Sequence, residues 1–272
     1  MQNKKVFISF DFEGIAGVTS WEEVNNNQRF NEVATQQLNF FLQGFYESNP
    51  HGKVVIADSH STGHNIIWEK LIGNTELISG FPRNNYMVEG LDASFDSIVF
   101  FGYHAPIGYR GVMDHTYSSS SIYSMKINGI VVDEAYINAL FASYYNVPLK
   151  FVYGDDVIVN RIKSKLSMKI CTLASKKAIS RYAAQSKAFE IIKDSLIEYG
   201  RIFSDTEGYL CSLQKSYTCE IQFVSTNTAY VILNLPNIEK IDDRNIRFLA
   251  TSPIEIYHTL MSIVLLAKSI GN

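Results

Sequence analysis

The chain has 272 residues, 46% hydrophobic and 19% charged, with a net charge of −3, enough for one large domain or two smaller ones with buried cores. That charge argues against a nucleic-acid or anionic-membrane surface. Cys171, Cys211 and Cys219 are few, odd in number and without CxxC spacing, which argues against a disulfide framework and a thiolate zinc site.

The N-terminal lysines and the apolar run after them superficially resemble a signal peptide. Asp11 interrupts the run early, so it reads as the first strand of a cytoplasmic soluble protein. Val6, Ile8, Phe10 and Phe12 share one face of that strand, and Phe7, Ser9, Asp11 and Glu13 the other. Asp11 and Glu13 therefore point the same way, roughly 6–7 Å apart. Two like charges there repel unless a cation or partner sits between them. Gly14 permits a sharp turn out of the sheet.

After a polar loop, Phe30, Val33, Ala34, Leu38, Phe41, Leu42 and Phe45 recur at helical spacing. Gly52 ends that helix, and Lys53–Ala57 is a short buried strand running into Asp58, Ser59 and His60. A second helix is expected from His64 to Leu71. Ser97–Tyr103 repeats the strand theme and ends on His104. Tyr123 to Val132 reads as a hairpin turning at Asn128-Gly129. Glu134 to Tyr145 is helical, and Pro148 to Tyr153 is a strand ending in Gly154-Asp155-Asp156. Further on, a helix around Ala188–Leu196 is closed by Gly200. Cys219–Phe223 and Ala229–Leu233 read as strands, and Ser252-Pro253-Ile254-Glu255 has the signature of a helix start. The stretch Ile254–Ala267 is too short and too polar to span a bilayer.

This alternation predicts an α/β fold: a mostly parallel sheet flanked by helices, with a smaller C-terminal α+β portion. A catalytic unit over 1–160 and a C-terminal unit over 161–272, for oligomerisation and pocket completion, are the expected divisions. In such sheets sites collect at the C-terminal ends of strands. Asp11, Glu13, His60, His104 and Asp155 all fall at such ends. Asp11, Glu13, His60, His104, His115 and Glu134 make a set of three carboxylates and two or three imidazoles suited to zinc, manganese or cobalt. Taken singly, each of these histidines is an ordinary core or loop residue and Glu134 an ordinary first-turn charge. The convergence carries the reading. Five ligands exceed the needs of one tetrahedral zinc, and a carboxylate such as Asp11 can bridge two ions.

The segment Ser9–Gly14 fits an SxDxEG pattern. Asp58-Ser59-His60-Ser61, Met87–Leu91, Gly102–Ala105, Gly111-Val112-Met113 with His115, Ile127–Gly129, Gly154–Asp156 and Ile179–Arg181 follow in order. Together they resemble the D-aminopeptidase family of metallopeptidases from about residue 6 to about residue 181. The resemblance implies two zinc ions. Asp11 would bridge them, Glu13 and His60 would complete one site, His104 and Glu134 the other, and His115 would be the catalytic histidine. It implies release of N-terminal D-amino acids from short peptides and a ring-shaped homodecamer. Three positions depart from the family pattern: Asp133 stands before Glu134, Asp114 lies beside His115, and His64 lies four residues beyond His60. The i,i+4 pair His60 and His64 is a weak metal signal. Asp155 reads either as an orienter of a ligand histidine or as a helix cap. The alternatives are a dinuclear hydrolase of another amide or a phosphoester, and a non-catalytic metal-binding ring protein.

Overall fold

The structure is a computed structural model that describes residues 3–25 and 27–270. In chain order the strands are β1 (Lys5–Phe10), β2 (Lys53–Asp58), β3 (Thr75–Ile78), β4 (Ser97–Tyr103), β5 (Ile122–Ile127) and β6 (Ile130–Val131). Then come β7 (Leu149–Asp155), β8 (Cys171–Ser180), β9 (Ala183–Ser186), β10 (Tyr217–Phe223), β11 (Glu239–Lys240) and β12 (Asn245–Ala250). The helices are α1 (Trp21–Val24), α2 (Gln28–Ser48), α3 (Glu134–Tyr144), α4 (Asp156–Lys165), α5 (Phe189–Ile202), α6 (Thr226–Ile232) and α7 (Pro253–Ser269).

Seven strands form the main sheet in the order β3-β2-β1-β4-β7-β8-β9. All neighbours in it are parallel except β8 and β9. The second sheet, β11-β12-β10-β5-β6, is antiparallel. The α/β architecture read from the sequence is therefore the one observed. The sheets do not divide the chain at residue 160. The β7-α4-β8 crossover carries the main sheet past that point, while β5 and β6 belong to the second sheet.

Alternation along β1 sorts its side chains into two cores. Val6, Ile8, Phe10 and Phe12 pack with Leu38, Phe41, Leu42 and Phe45 of α2. Phe7 packs on the opposite face with α3, α7 and the second sheet. Phe41 stacks on Phe151 of β7, ring centres 5.0 Å apart, which anchors α2 over the middle of the sheet. The predicted hairpin is present, with Asn128 and Gly129 both at positive φ, as its two-residue turn requires. Ser252 caps α7 by accepting from the Glu255 N–H, and Glu255 accepts in return from the Thr251 N–H.

Three expectations are corrected. No α-helix forms over His64–Leu71, where a short 3-10 turn occupies Trp68–Lys70. The Asp58 carboxylate takes the Asn65 and Ile66 N–H groups, holding the segment as a loop. Ala229–Leu233 is not a strand but lies in α6 and its C-cap. Ser225 caps that helix, which buries Ala229 and Ile232 three residues apart. Gly200 does not close α5, which runs on to Ile202. A Cβ on Gly200 would sit 2.2 Å from the Phe41 carbonyl oxygen, so the glycine permits close packing of α5 on α2. No helix among the described residues is long and apolar enough to cross a membrane.

Candidate metal centre

Parallel pairing aligns the C-terminal ends of β1, β2, β4 and β7. The Asp11 N–H donates to the Phe101 carbonyl (2.7 Å) and the Ser59 N–H to the Phe10 carbonyl (2.9 Å). Asp11, His60, His104 and Asp155 are thereby held at one edge of the sheet. Gly14 brings the segment after β1 against the end of β4. Its N–H donates to the Gly102 carbonyl at 2.7 Å, and a Cβ there would sit 1.8 Å from the Tyr103 carbonyl oxygen. Close approach, more than the sharpness of a turn, is what requires glycine here.

Asp11, Glu13, His60, His104 and Glu134 are all buried, and they converge. Asp11 Oδ1 lies 3.6 Å from His60 Nδ1, and Asp11 Oδ2 lies 3.5 Å from His104 Nε2. Glu13 Oε2 faces His60 Nδ1 at 3.0 Å, and Glu134 Oε2 faces His104 Nε2 at 3.7 Å. Two groups with metal-ligand geometry result: Asp11 with Glu13 and His60, and Asp11 with His104 and Glu134. Each offers ligand atoms within 4.8 Å of one another, and Asp11 belongs to both. His115 makes a third group with Glu13 and His104, its Nε2 3.6 Å from Glu13 Oε1.

Electrostatics describe a cluster built for cations. Burial, then the Glu13 charge, pushes the Asp11 carboxyl up to about 7. Burial also opposes ionisation of Glu13, but the His60 charge and hydrogen bond outweigh it and hold Glu13 well below the usual carboxylate value. Burial disfavours a charged His60, yet Glu13 and Asp11 together raise it to about 10. His104 is raised against its burial by Glu134 first. With no cation, three carboxylates here hold one another in check only by sharing protons with imidazoles. Divalent ions are the natural replacement for those protons, and the donor set fits zinc.

Backbone contacts orient the histidines. His104 Nδ1 lies 2.9 Å from the Ala105 carbonyl, and His115 Nδ1 lies 2.9 Å from the Met113 carbonyl. With each Nδ1 on a backbone carbonyl, each Nε2 is aimed at the carboxylates. Asp155 is the cap of α4 and also bonds the residue after His104. Its Oδ1 accepts from the Ile158 N–H and caps α4, while its Oδ2 accepts from the Ala105 N–H beside His104. Asp133 caps α3 and pairs with Arg161, which turns it away from competition with Glu134. Asp114 pairs with Arg181 at 3.2 Å. His64 is exposed and belongs to none of the candidate metal groups.

Sequence reasoning missed two positioning contacts. The Tyr117 N–H donates to Glu134 Oε1 from a residue at positive φ. The buried Lys176 ammonium donates to the carbonyls of Glu13, Ile15 and Val18. No local motif signals either one. A cavity of about 210 Å³ opens over the cluster. Trp21 and Tyr117 line it. Trp21 packs edge-on against His115 at 5.1 Å between ring centres.

Known proteins resemble this chain closely. The model of the D-aminopeptidase family matches residues 4–262. A D-aminopeptidase of Bacillus subtilis (strain 168) is 36% identical over 188 residues, an alignment covering 66% of this chain and 66% of that protein. A solved structure from Bacillus subtilis, the Zn-dependent D-aminopeptidase DppA, described as a self-compartmentalizing protease, superposes with a TM-score of 0.92 at 28% identity. That match covers 98% of this chain and 99% of the other. With a family match across nearly all its length and the same fold over its whole extent, the chain belongs to the D-aminopeptidase family.

Proposed function

We propose that this protein is a dinuclear zinc aminopeptidase that removes N-terminal D-amino acids from short peptides. The observation that carries the reading is Asp11, whose two carboxylate oxygens face His60 and His104, one each, at 3.6 and 3.5 Å. Asp11 would be shared between two ions, with Glu13 and His60 completing one site and His104 and Glu134 the other. Ions held there would act as Lewis acids on the scissile carbonyl and supply water with a pKa near ~7.

The chain's own residues do the rest. Burial, the first cause, holds His115 below the ordinary histidine value, which suits it to accept a proton. Its Nε2 takes a proton from the attacking water and returns it to the leaving amine. The Met113 carbonyl fixes its tautomer, and Trp21 fixes its ring. Trp21 and Tyr117 narrow the cavity and limit water around the reacting bond.

We extend the reading to a homodecameric ring. The self-compartmentalizing relative supports assembly, as do exposed apolar side chains such as Tyr123, Ile130 and Met168. The unpaired cysteines fit a reducing, cytoplasmic compartment. The test is hydrolysis of paired D- and L-aminoacyl p-nitroanilides and dipeptides with added zinc, manganese or cobalt, alongside metal analysis and sedimentation. Two zinc ions per chain and a D preference are expected. Cleavage of L substrates alone, or none at all with metal bound, would overturn the reading.

A further inference from the structure

Lys268 lies in the last turn of α7, six residues beyond the end of the stretch matched by the family model. It lines the same cavity as Asp11, Glu13, His115 and Glu134. Among the described residues it is the one lysine or arginine on that lining. Its ammonium makes no hydrogen bond and no ion pair with any described residue. Its side chain is exposed; partial desolvation pulls it below the ordinary lysine value, and the Glu134 and Glu13 charges pull the other way.

A lysine at the mouth of an acidic cluster has two uses. It can balance the carboxylates, or it can receive an anion. The aminopeptidase reading, on which this inference rests, decides between them. Two divalent ions outweigh the charges of Asp11, Glu13 and Glu134, so the loaded centre needs no further cation. The lysine then faces a net positive site and lacks a partner. An anion arriving with the substrate supplies one. A simple peptide whose amine and scissile carbonyl sit at the centre has one such group, its C-terminal carboxylate. In a dipeptide that carboxylate lies one residue past the scissile bond, and each added residue carries it up to ~3.3–3.6 Å further away. The cavity volume, about 210 Å³, is below the ~300 Å³ at which drug-sized sites begin, which favours a very short ligand.

We propose that Lys268 is a specificity-determining residue that pairs with the α-carboxylate of a dipeptide substrate. The enzyme then favours free-acid dipeptides over blocked or longer ones.

The test compares D-alanylglycine with D-alanylglycinamide on the zinc-loaded protein. The wild type should show a kcat/KM ratio of about tenfold or more for the free acid, the worth of one charge-assisted hydrogen bond. Lys268→Met should bring that ratio near one, mainly through KM. Lys268→Arg should keep much of it, and Lys268→Glu should invert it. Calorimetric titration with reduced-bond analogues, acid and amide, should show the same discrimination without turnover. Equal hydrolysis of acid and amide by the wild type overturns this assignment alone, as does an unchanged ratio in Lys268→Met. Hydrolysis of neither form by the zinc-loaded wild type overturns the aminopeptidase reading and this assignment together.

Discussion

The imidazoles of His104 and His115 lie face to face, ring centres 4.1 Å apart and planes 2° from parallel. Stacked this closely, both cannot comfortably carry charge. Glu134 holds the proton on His104, and burial with the His104 charge takes it from His115. In the metal-free protein the stack thus pairs one charged imidazole with one whose charged form is disfavoured. His115→Ala is expected to retain both zinc ions and lose about 10²–10⁴-fold in kcat, the usual worth of a general base. Asp11→Ala is expected to lose zinc as well. Elemental analysis beside steady-state rates separates the two, and a His115→Ala enzyme with full turnover would remove the histidine from the mechanism.

Asp11, Glu13, His60, His104 and Glu134 were legible in the sequence because each follows an apolar strand or opens a helix, whereas His115 sits in a loop and was legible only through the family resemblance. Parallel strands gather their C-terminal ends whatever the loops do. The hairpin at Asn128-Gly129 and the α7 cap were legible because their signals are local. The loop after His60 was not, because Asp58 captures the Asn65 and Ile66 N–H groups and overrides the apparent helical pattern. Nor was the role of Lys176, whose partners lie 158 to 163 residues away and exist only after the sheet forms.

Asp155 lies between helix and metal centre. Its carboxylate is fully buried and accepts from Ile158 and Ala105, and the Ala105 carbonyl faces His104 Nδ1. Asp155→Ala therefore leaves two buried donors unpaired and loosens Ala105, the residue whose carbonyl faces His104 Nδ1. A stability loss of about 1–3 kcal/mol is expected, with zinc affinity weakened roughly 10–100-fold. Denaturant unfolding and competition with a chelating dye measure the two effects. Unaltered zinc affinity would confine Asp155 to capping α4.

Chelation should interact with pH in a definite direction. In the metal-free protein Asp11 is raised from 3.8 to about 7 and His60 from 6.5 to about 10. A group raised in the folded state stabilises fully below its unfolded value, and that contribution fades as pH climbs through the folded value. Both contributions of the metal-free fold therefore fade as pH climbs from about 4 toward 10. Glu13 and Glu134 are lowered, so theirs is lost only on acidification below the ordinary glutamate range. Zinc replaces the protons on Asp11 and His60, so its stabilising effect should grow with pH. The gain in melting temperature on zinc loading should be larger at pH 8 than at pH 6. Equal gains would mean that the cluster holds no such protons.

Lys176 is 3% exposed, and its ammonium caps three carbonyls of the loop that carries Glu13. Those carbonyls have turned out of β1; the Ile15 carbonyl also accepts from the Val18 N–H, and the ammonium is the side-chain donor that joins all three. Lys176→Met should cost about 3 kcal/mol, since buried acceptors are left unpaired, and lower the melting temperature by roughly 6–12 °C. Arginine should not rescue it, because a planar fork cannot occupy the point where the three oxygens converge. Burial lowers the Lys176 value to about 8, so between there and the ordinary lysine value the unfolded chain binds more protons than the folded one. The wild type should therefore gain stability across that window, and Lys176→Met should lack that slope. Denaturant midpoints of both proteins at pH 7, 8, 9 and 10 test this. Parallel curves would show that the ammonium stays fully charged, and a midpoint unchanged at pH 7 would show that the loop holds Glu13 without it.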